Sequence, residues 1–237
     1  MNTEQLIEQS RPFLNYIVDW KAKLSPLSIA NVVKGNAARV AVISVDVING
    51  FCYEGPLASP RVASIVEPIV ALFQTSYQAG VRHFILTQDT HPADAVEFES
   101  FPPHCIRGTY QSETVDQFKA LPFFDQFQVM PKRSIHSALG TDLEGWLEAQ
   151  PEVDTFITVG DCTDLCTYQL AMHLRLRANV QNRKVRVILP VDCVDTYDLP
   201  VSIAAEIGAI PHDGDLLHHI FLYHMRLNGI EVVAKIE

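Results

Sequence analysis

The chain has 237 residues, 48% of them hydrophobic and 19% charged, so it can bury a core and is not a disordered protein. Its formal net charge of −10, with no basic run, argues against nucleic acid and anionic membranes as partners. No apolar run reaches the roughly 20 residues that a membrane-spanning helix needs. The amino terminus lacks the features of a signal peptide and the five cysteines form no regular framework, so we expect a cytoplasmic protein with reduced thiols.

Residues 1–37 differ from the rest of the chain and are predicted to form a helical arm. Apolar residues recur at helical spacing from Leu6 to Trp20, and Pro12 is expected to mark either the start of this helix or a kink in it. Such an apolar arm would pack on the domain or on a neighbouring subunit. The second possibility would suit a homo-oligomer, which is the state that we expect.

Strand and helix patterns alternate through residues 38–237 and predict one domain. The predicted strands cover residues 40–46, 81–89, 127–132, 154–161, 185–192 and 230–236. Helices are predicted for residues 61–80, 141–150 and 163–179 and for two segments before the last strand. Thr141, with Glu144 three residues later, predicts a capping box at the start of the second helix. The alternation predicts a three-layer α/β/α fold around a mostly parallel sheet of about six strands.

Chemically active residues follow four of the predicted strands. Asp46 ends the first strand, Asp89 the second and Lys132 the third. Cys166 lies at the start of the helix after the fourth strand. Because the carboxyl ends of parallel strands meet at one edge of the sheet, we expect these residues to share one site. Four such residues at one edge favour a catalytic site over a structural explanation.

Cys166 is the predicted nucleophile. In the first turn of a helix, unpaired backbone N–H groups and the helix dipole favour a thiolate and can bind an oxyanion. Its position alone would suit a small buried residue equally well. A carboxylate at Asp46 can take the thiol proton and return it to a leaving amine. An ammonium group at Lys132 would hold both negative charges, whereas the adjacent Arg133 is expected to be solvated.

Asp89, His91 and His104 form a second predicted group. The sequence DTH places a carboxylate and an imidazole two residues apart, and FPPH supplies a second imidazole in a stiff turn. Two imidazole nitrogens and one carboxylate oxygen suit Zn²⁺, Fe²⁺ or Mn²⁺ and leave other positions open. A hydrogen-bonded loop without a metal is the alternative explanation of the Asp-x-His pair by itself.

Residues 39–236 resemble the isochorismatase-like cysteine hydrolases, and within that family the nicotinamidases. The segments that carry the resemblance are, in chain order, VDVINGF, TQDTHPAD, FPPHCIRGT, PKRSIHSALG and VGDCTDLCTYQLA. The resemblance implies two sets of residues, the catalytic set Asp46, Lys132 and Cys166 and the metal ligands Asp89, His91 and His104. It implies an oxyanion hole formed by the backbone amides of Cys162 and Cys166, after a cis peptide bond between Asp161 and Cys162. It also implies substrate contacts from Phe51, Phe101 and Leu165.

The activity implied by the resemblance is metal-assisted hydrolysis of a small amide through a thioester, with nicotinamide as the first substrate candidate. One alternative is another reaction of the same family, on an N-carbamoyl or ureido compound, without the metal. A second is a non-catalytic binding module, in which Cys166 would react no faster than an ordinary thiol. A third, a flavodoxin-like cofactor binder, is disfavoured because no phosphate-binding glycine loop follows the first strand.

Overall fold

The computed structural model describes all of residues 1–237 and contains one six-stranded sheet. The strands are β1 (Val40–Val45), β2 (His83–Asp89), β3 (Phe127–Lys132), β4 (Thr155–Gly160), β5 (Arg186–Pro190) and β6 (Glu231–Val233). Their order in the sheet is β3-β2-β1-β4-β5-β6, and every neighbouring pair is parallel. The predicted three-layer α/β fold is confirmed.

Ten α-helices surround the sheet. They are α1 (Thr3–Ala22), α2 (Ile29–Val33), α3 (Asn49–Cys52), α4 (Pro60–Ser64), α5 (Val66–Gln78), α6 (Asp116–Lys119), α7 (Leu143–Ala149), α8 (Cys166–Val180), α9 (Val201–Ile207) and α10 (Gly214–Leu227). None of them is both long and apolar enough to cross a lipid bilayer.

Strand β1 lies at the centre of the sheet and is buried along its whole length. Its side chains alternate between two apolar clusters on opposite faces. Val40 and Val42 pack in the cluster that includes Phe73 of α5, whereas Ile43 packs in the cluster that includes Leu170 of α8. Because helices cover both faces, the strand is continuously apolar rather than alternating.

The strand order places a crevice at the carboxyl ends of β1 and β4. The chain runs from β1 outward through β2 and β3 on one side, and from β4 through β5 to β6 on the other. A parallel sheet opens a crevice where its strand order reverses in this way. Val45 of β1 pairs with Gly160 of β4, so Asp46 and Asp161 leave the sheet side by side at this point.

Gly160 lets β1 and β4 approach closely at this edge. Its φ is +111°, and a β carbon there would lie 2.0 Å from the carbonyl oxygen of Val45.

We expect Gly160→Ala to lower the free energy of unfolding by about 3 kcal/mol, because the methyl group overlaps the backbone and alanine disfavours this φ. Urea-induced unfolding measures the change. As a matched control, Gly145→Ala in α7 meets no atom within 4 Å and should raise stability by up to about 1 kcal/mol. Equal stability of the Gly160→Ala variant and the wild type would contradict this account.

The helix predicted for residues 61–80 is in fact two helices, α4 and α5. Pro68 lies in the first turn of α5 and has no N–H group to bond to the carbonyl of Ser64. The hydrogen-bond ladder is therefore interrupted, and Ile65 separates the two helices.

The capping box predicted at Thr141 is wrong. Helix α7 begins at Leu143, and the Thr141 hydroxyl accepts a hydrogen bond from the Leu143 amide while donating to the Ser137 carbonyl. Glu144 does not turn back to the helix start, because its carboxylate pairs with Arg177 of α8. A tertiary ion pair has replaced the local cap.

Helix α1 begins at Thr3 and continues through Pro12, so of the two alternatives for Pro12 the helix start is wrong, and the kink stays a prediction. The reason is a capping box between Asn2 and Gln5, which starts the helix earlier. Trp20 packs against Tyr223 of α10 with ring centroids 5.4 Å apart. Other apolar side chains of this helix are exposed, namely Leu6, Ile7, Phe13, Tyr16 and Val18. The homo-oligomer remains a prediction.

Candidate active site

The four predicted strand-end residues meet around the buried ammonium group of Lys132. Lys132 Nζ lies 2.6 Å from Asp46 Oδ2 and 2.5 Å from Asp89 Oδ1. It also lies 3.7 Å from Cys166 Sγ and donates a hydrogen bond to the Ser134 carbonyl at 3.1 Å. Lys132 is fully buried, whereas Arg133 is exposed, as expected. One cation therefore contacts both carboxylates and the thiol.

Strand register and a strained turn place these side chains. The β2–β3 register pairs Asp89 with Lys132, so the two residues leave neighbouring strands at the same level. Asp46 has a φ of +56°, a conformation that costs energy for a residue with a β carbon. Its Oδ1 accepts a hydrogen bond from the Asp89 amide at 2.8 Å. Its Oδ2 is close to Lys132 but meets no hydrogen-bond geometry, so it keeps a lone pair for a proton.

Burial and charge set different protonation states for these groups. Burial raises the pKa of Asp46 to about 6, and the charge of Asp89 acts in the same direction. Burial also raises the pKa of Asp89, but Lys132 and the two neighbouring imidazoles hold it below its usual value. The pKa of Lys132 is lowered by burial, yet the two carboxylates raise it well above 10.5. Lys132 and Asp89 therefore stay charged, while Asp46 can exchange a proton near neutral pH.

Cys166 is the first residue of α8, as its position in the sequence predicts. Burial raises the pKa of its thiol well above 9, and the charge of Lys132 offsets only part of this effect. Desolvation thus outweighs the charge of Lys132, so a base is needed to take the thiol proton, the role that the sequence analysis gives to Asp46. The ligand atoms of Asp46 and Cys166 lie within 4.8 Å of each other, so a base is close to the sulfur.

Two backbone N–H groups beside Cys166 are free to bind an anion. The amides of Cys162 and Cys166 donate no hydrogen bond within the chain, although the amides of Leu165 and Thr167 both donate to the Cys162 carbonyl. The peptide bond between Asp161 and Cys162 is cis, as expected. The loop before α8 therefore has the unpaired donors that an oxyanion hole needs.

The predicted metal ligands Asp89, His91 and His104 lie together, with their ligand atoms all within 4.8 Å of one another. Asp89 Oδ2 is 3.5 Å from His91 Nε2 and 3.7 Å from His104 Nε2. Both ring nitrogens of His91 are buried without a hydrogen-bond partner, which is costly unless something else binds them. His104 Nδ1 lies 2.8 Å from the Pro102 carbonyl oxygen, which can only accept a hydrogen bond, so Nδ1 carries the proton. The other ring nitrogen, Nε2, then has a free lone pair on the side of Asp89. This donor set fits a divalent transition metal such as zinc.

A pocket opens onto Cys166, with a volume of about 480 Å³ when the solvent-open space at its mouth is included. The three predicted substrate contacts, Phe51, Phe101 and Leu165, all line it. Sequence reasoning missed part of the wall, namely Leu57, Val62, Glu97, Ile135, Asp161 and Tyr197. Tyr197 lies well beyond Pro190, the last residue of β5, and Asp192 and Cys193 come before it, so its position after a strand does not single it out.

A wider groove, about 1300 Å³, lies at the opposite ends of the strands. Basic residues line it, but Arg39 pairs with Asp154 and Arg186 pairs with Glu231. It contains no cysteine, histidine or buried carboxylate pair. The chemistry therefore belongs to the Cys166 pocket.

Comparison with known proteins finds relatives of this chain in both sequence and structure. The family model described as "Isochorismatase domain" matches residues 40–207. Nicotinamidase 1 of Arabidopsis thaliana is 31% identical over 220 residues, which cover 83% of this chain and 86% of that protein. Pyrazinamidase/nicotinamidase from Streptococcus mutans has a similar structure, with a TM-score of 0.64 and 23% identity over 82% of this chain and 99% of that one. N-carbamoylsarcosine amidase from Thermoplasma acidophilum gives a TM-score of 0.61 at 22% identity, over 82% and 95% of the two chains.

A parallel α/β sheet with a buried Asp-Lys-Cys cluster at its switch point defines a cysteine hydrolase of the isochorismatase type. The chain belongs to the isochorismatase family. Within this family it is similar to the nicotinamidases.

Proposed function

We propose that this protein hydrolyses a small amide through a thioester on Cys166, and that nicotinamide is the substrate. The observation that carries the proposal is the contact of one buried ammonium group with both Asp46 and Cys166 beside two free backbone N–H groups. The 31% identity to a nicotinamidase over most of the chain supports the choice of substrate.

Acylation begins when Asp46 takes the proton of the Cys166 thiol as the sulfur attacks the amide carbon. The high pKa of the thiol makes a neighbouring base necessary, and a carboxyl with a pKa of about 6 is suited to that role. The negative charge that develops on the carbonyl oxygen is bound by the amides of Cys162 and Cys166. Asp46 then gives its proton to the leaving nitrogen, and ammonia departs.

Deacylation reuses the same carboxylate. Asp46 takes a proton from a water molecule, whose oxygen attacks the thioester carbon. The carbon–sulfur bond breaks, the acid is released, and the sulfur recovers its proton from Asp46. Lys132 keeps its charge throughout and holds Asp46 beside the sulfur by its 2.6 Å contact.

Asp89, His91 and His104 would hold a divalent metal at the inner side of the pocket. When bound, such an ion supplies a Lewis acid that can bind a ring nitrogen of the substrate. Phe51 and Phe101 lie on the pocket wall near His104, with ring centroids 5.6 Å and 6.2 Å from its imidazole. These flat side chains would hold an aromatic ring in place.

Metal content tests this ligand set without an activity assay. Protein purified without chelator should carry about one divalent ion per chain, and His91→Ala should lower that content about tenfold or more. His83→Ala, at the opposite end of β2, is the matched control and should keep the metal. The measurement is elemental analysis by mass spectrometry. Equal metal content in the two variants, or none in the wild type, would contradict the assignment.

The proposed substrate is tested by ammonia release from purified protein. We expect release from nicotinamide to exceed release from N-carbamoyl amino acids. Release from the N-carbamoyl compounds alone would replace nicotinamide by a ureido substrate and keep the cysteine hydrolase. If no amide in the panel releases ammonia, the amidase proposal fails.

A further inference from the structure

His212 lies in the segment between α9 and α10, and its imidazole ring makes three contacts. The residue is 8% exposed, and its backbone exchanges two hydrogen bonds with Leu199. Its Nε2 is 2.8 Å from Asp164 Oδ2, and its Nδ1 is 2.9 Å from the Tyr197 carbonyl oxygen. The Tyr197 ring stacks on the imidazole, with ring centroids 3.9 Å apart. None of the catalytic steps described above uses this buried imidazole.

Both ring nitrogens of His212 carry a proton in this arrangement. A carbonyl oxygen and an ionised carboxylate can only accept hydrogen bonds, so Nδ1 and Nε2 both donate. Burial lowers the pKa of His212, but the hydrogen bond to Asp164 and its charge raise it above its usual value. Burial raises the pKa of Asp164, but hydrogen bonds from His212 and Thr196 bring it below its usual value. The two side chains therefore form an ion pair of an imidazolium and a carboxylate.

Asp164 belongs to the loop of residues 161–166, which we call the oxyanion loop because it carries the two free N–H groups. Asp164 lies two residues after Cys162 and two residues before Cys166. Its carboxylate accepts a hydrogen bond from the Thr196 hydroxyl at 2.6 Å, in addition to the one from His212. These two bonds attach the oxyanion loop to the segments that follow β5 and α9.

We propose that His212 is a positioning residue, which holds the oxyanion loop in place through Asp164. The inference rests on the amide hydrolysis proposed above. Oxyanion donors act at full strength only when they are held within about 0.5 Å of the productive geometry. A displaced Asp164 would move the amides on either side of it, whereas the pocket wall that binds the amide would change little. Loss of the contact should therefore lower kcat and leave KM nearly unchanged.

Two substitutions of His212 isolate its contact with Asp164. In His212→Gln the terminal amide takes the place of Nε2, so it can still donate to the Asp164 carboxylate. In His212→Asn the shorter side chain takes the place of Nδ1, so it can donate only to the Tyr197 carbonyl. Both variants lose the positive charge and the stacked ring. They therefore differ in the one hydrogen bond that the inference requires.

We expect His212→Asn to lower kcat about 10- to 100-fold and to keep KM within about threefold of the wild type. His212→Gln should restore kcat to within about fivefold. Complete inactivation is not expected, because the Thr163 amide also holds the oxyanion loop by its 3.0 Å bond to the Asp195 carbonyl. Steady-state kinetics use the amide that the wild type hydrolyses fastest, at a temperature where circular dichroism confirms that both variants are folded.

Thr196→Val tests the oxyanion loop from the other side of Asp164 and replaces His212→Asn if that variant does not fold. It removes the hydroxyl that donates to Asp164, so it should also lower kcat with little change in KM. Thr196→Ser keeps the hydroxyl and is the matched control, which should restore kcat. Wild-type kcat in Thr196→Val would contradict a positioning role of the Asp164 carboxylate.

An aldehyde provides a measurement that needs no amide turnover. The sulfur of Cys166 bonds to the aldehyde carbon, the π electrons of the carbonyl move to its oxygen, and that oxygen takes the thiol proton. The oxygen lies at the amides of Cys162 and Cys166, so the affinity depends on the same loop. Pyridine-3-carbaldehyde should protect Cys166 from alkylation by iodoacetamide, measured by mass spectrometry. His212→Asn should need about tenfold more aldehyde than His212→Gln.

The results distinguish this inference from the proposed function. Equal kcat in the two His212 variants, a loss confined to KM, or equal protection by the aldehyde would overturn the role of His212. Unequal protection without ammonia release from nicotinamide would overturn the proposed substrate and support the role of His212. If the aldehyde protects no form of the protein, the oxyanion loop does not bind the adduct and the inference fails.

Discussion

Replacing Cys166 by alanine should lower kcat/KM for amide hydrolysis by about 10⁴-fold or more, because the thioester cannot form. The loss of one buried sulfur should cost only about 1–2 kcal/mol of unfolding free energy, so the protein should remain folded. Ammonia release and urea-induced unfolding measure the two quantities. Cys166 is distinguished from the other four cysteines by its contact with Lys132, since all five are free and buried.

The matched control is Cys193→Ala. Cys193 is 2% exposed but lies outside the pocket, so this variant should lose a similar amount of stability and keep its activity. Equal activity of the two variants, or wild-type activity in Cys166→Ala, would rule out Cys166 as the nucleophile.

Replacing Lys132 by methionine should impair both activity and stability. The change leaves two buried carboxylates, Asp46 and Asp89, without the cation that contacts them. Removing one partner of a buried ion pair costs about 3–5 kcal/mol. We expect kcat/KM to fall about 10³-fold as well, because Asp46 is no longer held beside the sulfur and a charge that offsets the oxyanion is lost.

Arg133→Met is the control for this second change. Arg133 is the exposed neighbour of Lys132, so its loss should alter stability by no more than about 0.5 kcal/mol and leave the rate unchanged. Kinetics are measured at a temperature where circular dichroism confirms that both variants are folded. A Lys132→Met variant with the stability and rate of the wild type would show that the ammonium group has no role.

Both predictions concern residues that the sequence alone could identify, and the reason is geometric. Continuous apolar strands separated by helices predict a parallel sheet, and the carboxyl ends of such strands lie at one edge. Asp46, Asp89, Lys132 and Cys166 each follow a strand within a few residues, so the predicted fold brings them together. The structure confirms that proximity, with distances between 2.5 Å and 3.7 Å from Lys132.

Protonation could not be predicted in the same way. The position of Cys166 at a helix start favours a thiolate, but its complete burial raises the pKa of the thiol, and the charge of Lys132 offsets only part of that effect. Burial depends on packing between segments far apart in the chain, which a local pattern does not contain. The ion pair of His212 with Asp164 is likewise a property of the three-dimensional surroundings, because it joins residues 48 positions apart.

Errors in the helices have a related cause. The capping box at Thr141 was plausible locally, but Glu144 found a stronger partner in Arg177, which is 33 positions along the chain. The break between α4 and α5 was within reach of the sequence, because Pro68 removes a backbone donor at that place. The capping prediction therefore failed because a residue far along the chain bound the Glu144 carboxylate. The helix break, in contrast, follows from the position of Pro68 in the sequence.

The central claim, a thioester on Cys166, is tested most directly by trapping the acyl group with hydroxylamine during turnover. Nicotinamide and methyl nicotinate would form the same thioester, which then partitions between water and hydroxylamine. We expect both compounds to give the same ratio of hydroxamate to nicotinate, and neither product in Cys166→Ala. Different ratios for the two compounds, or nicotinate without any hydroxamate, would contradict a common thioester.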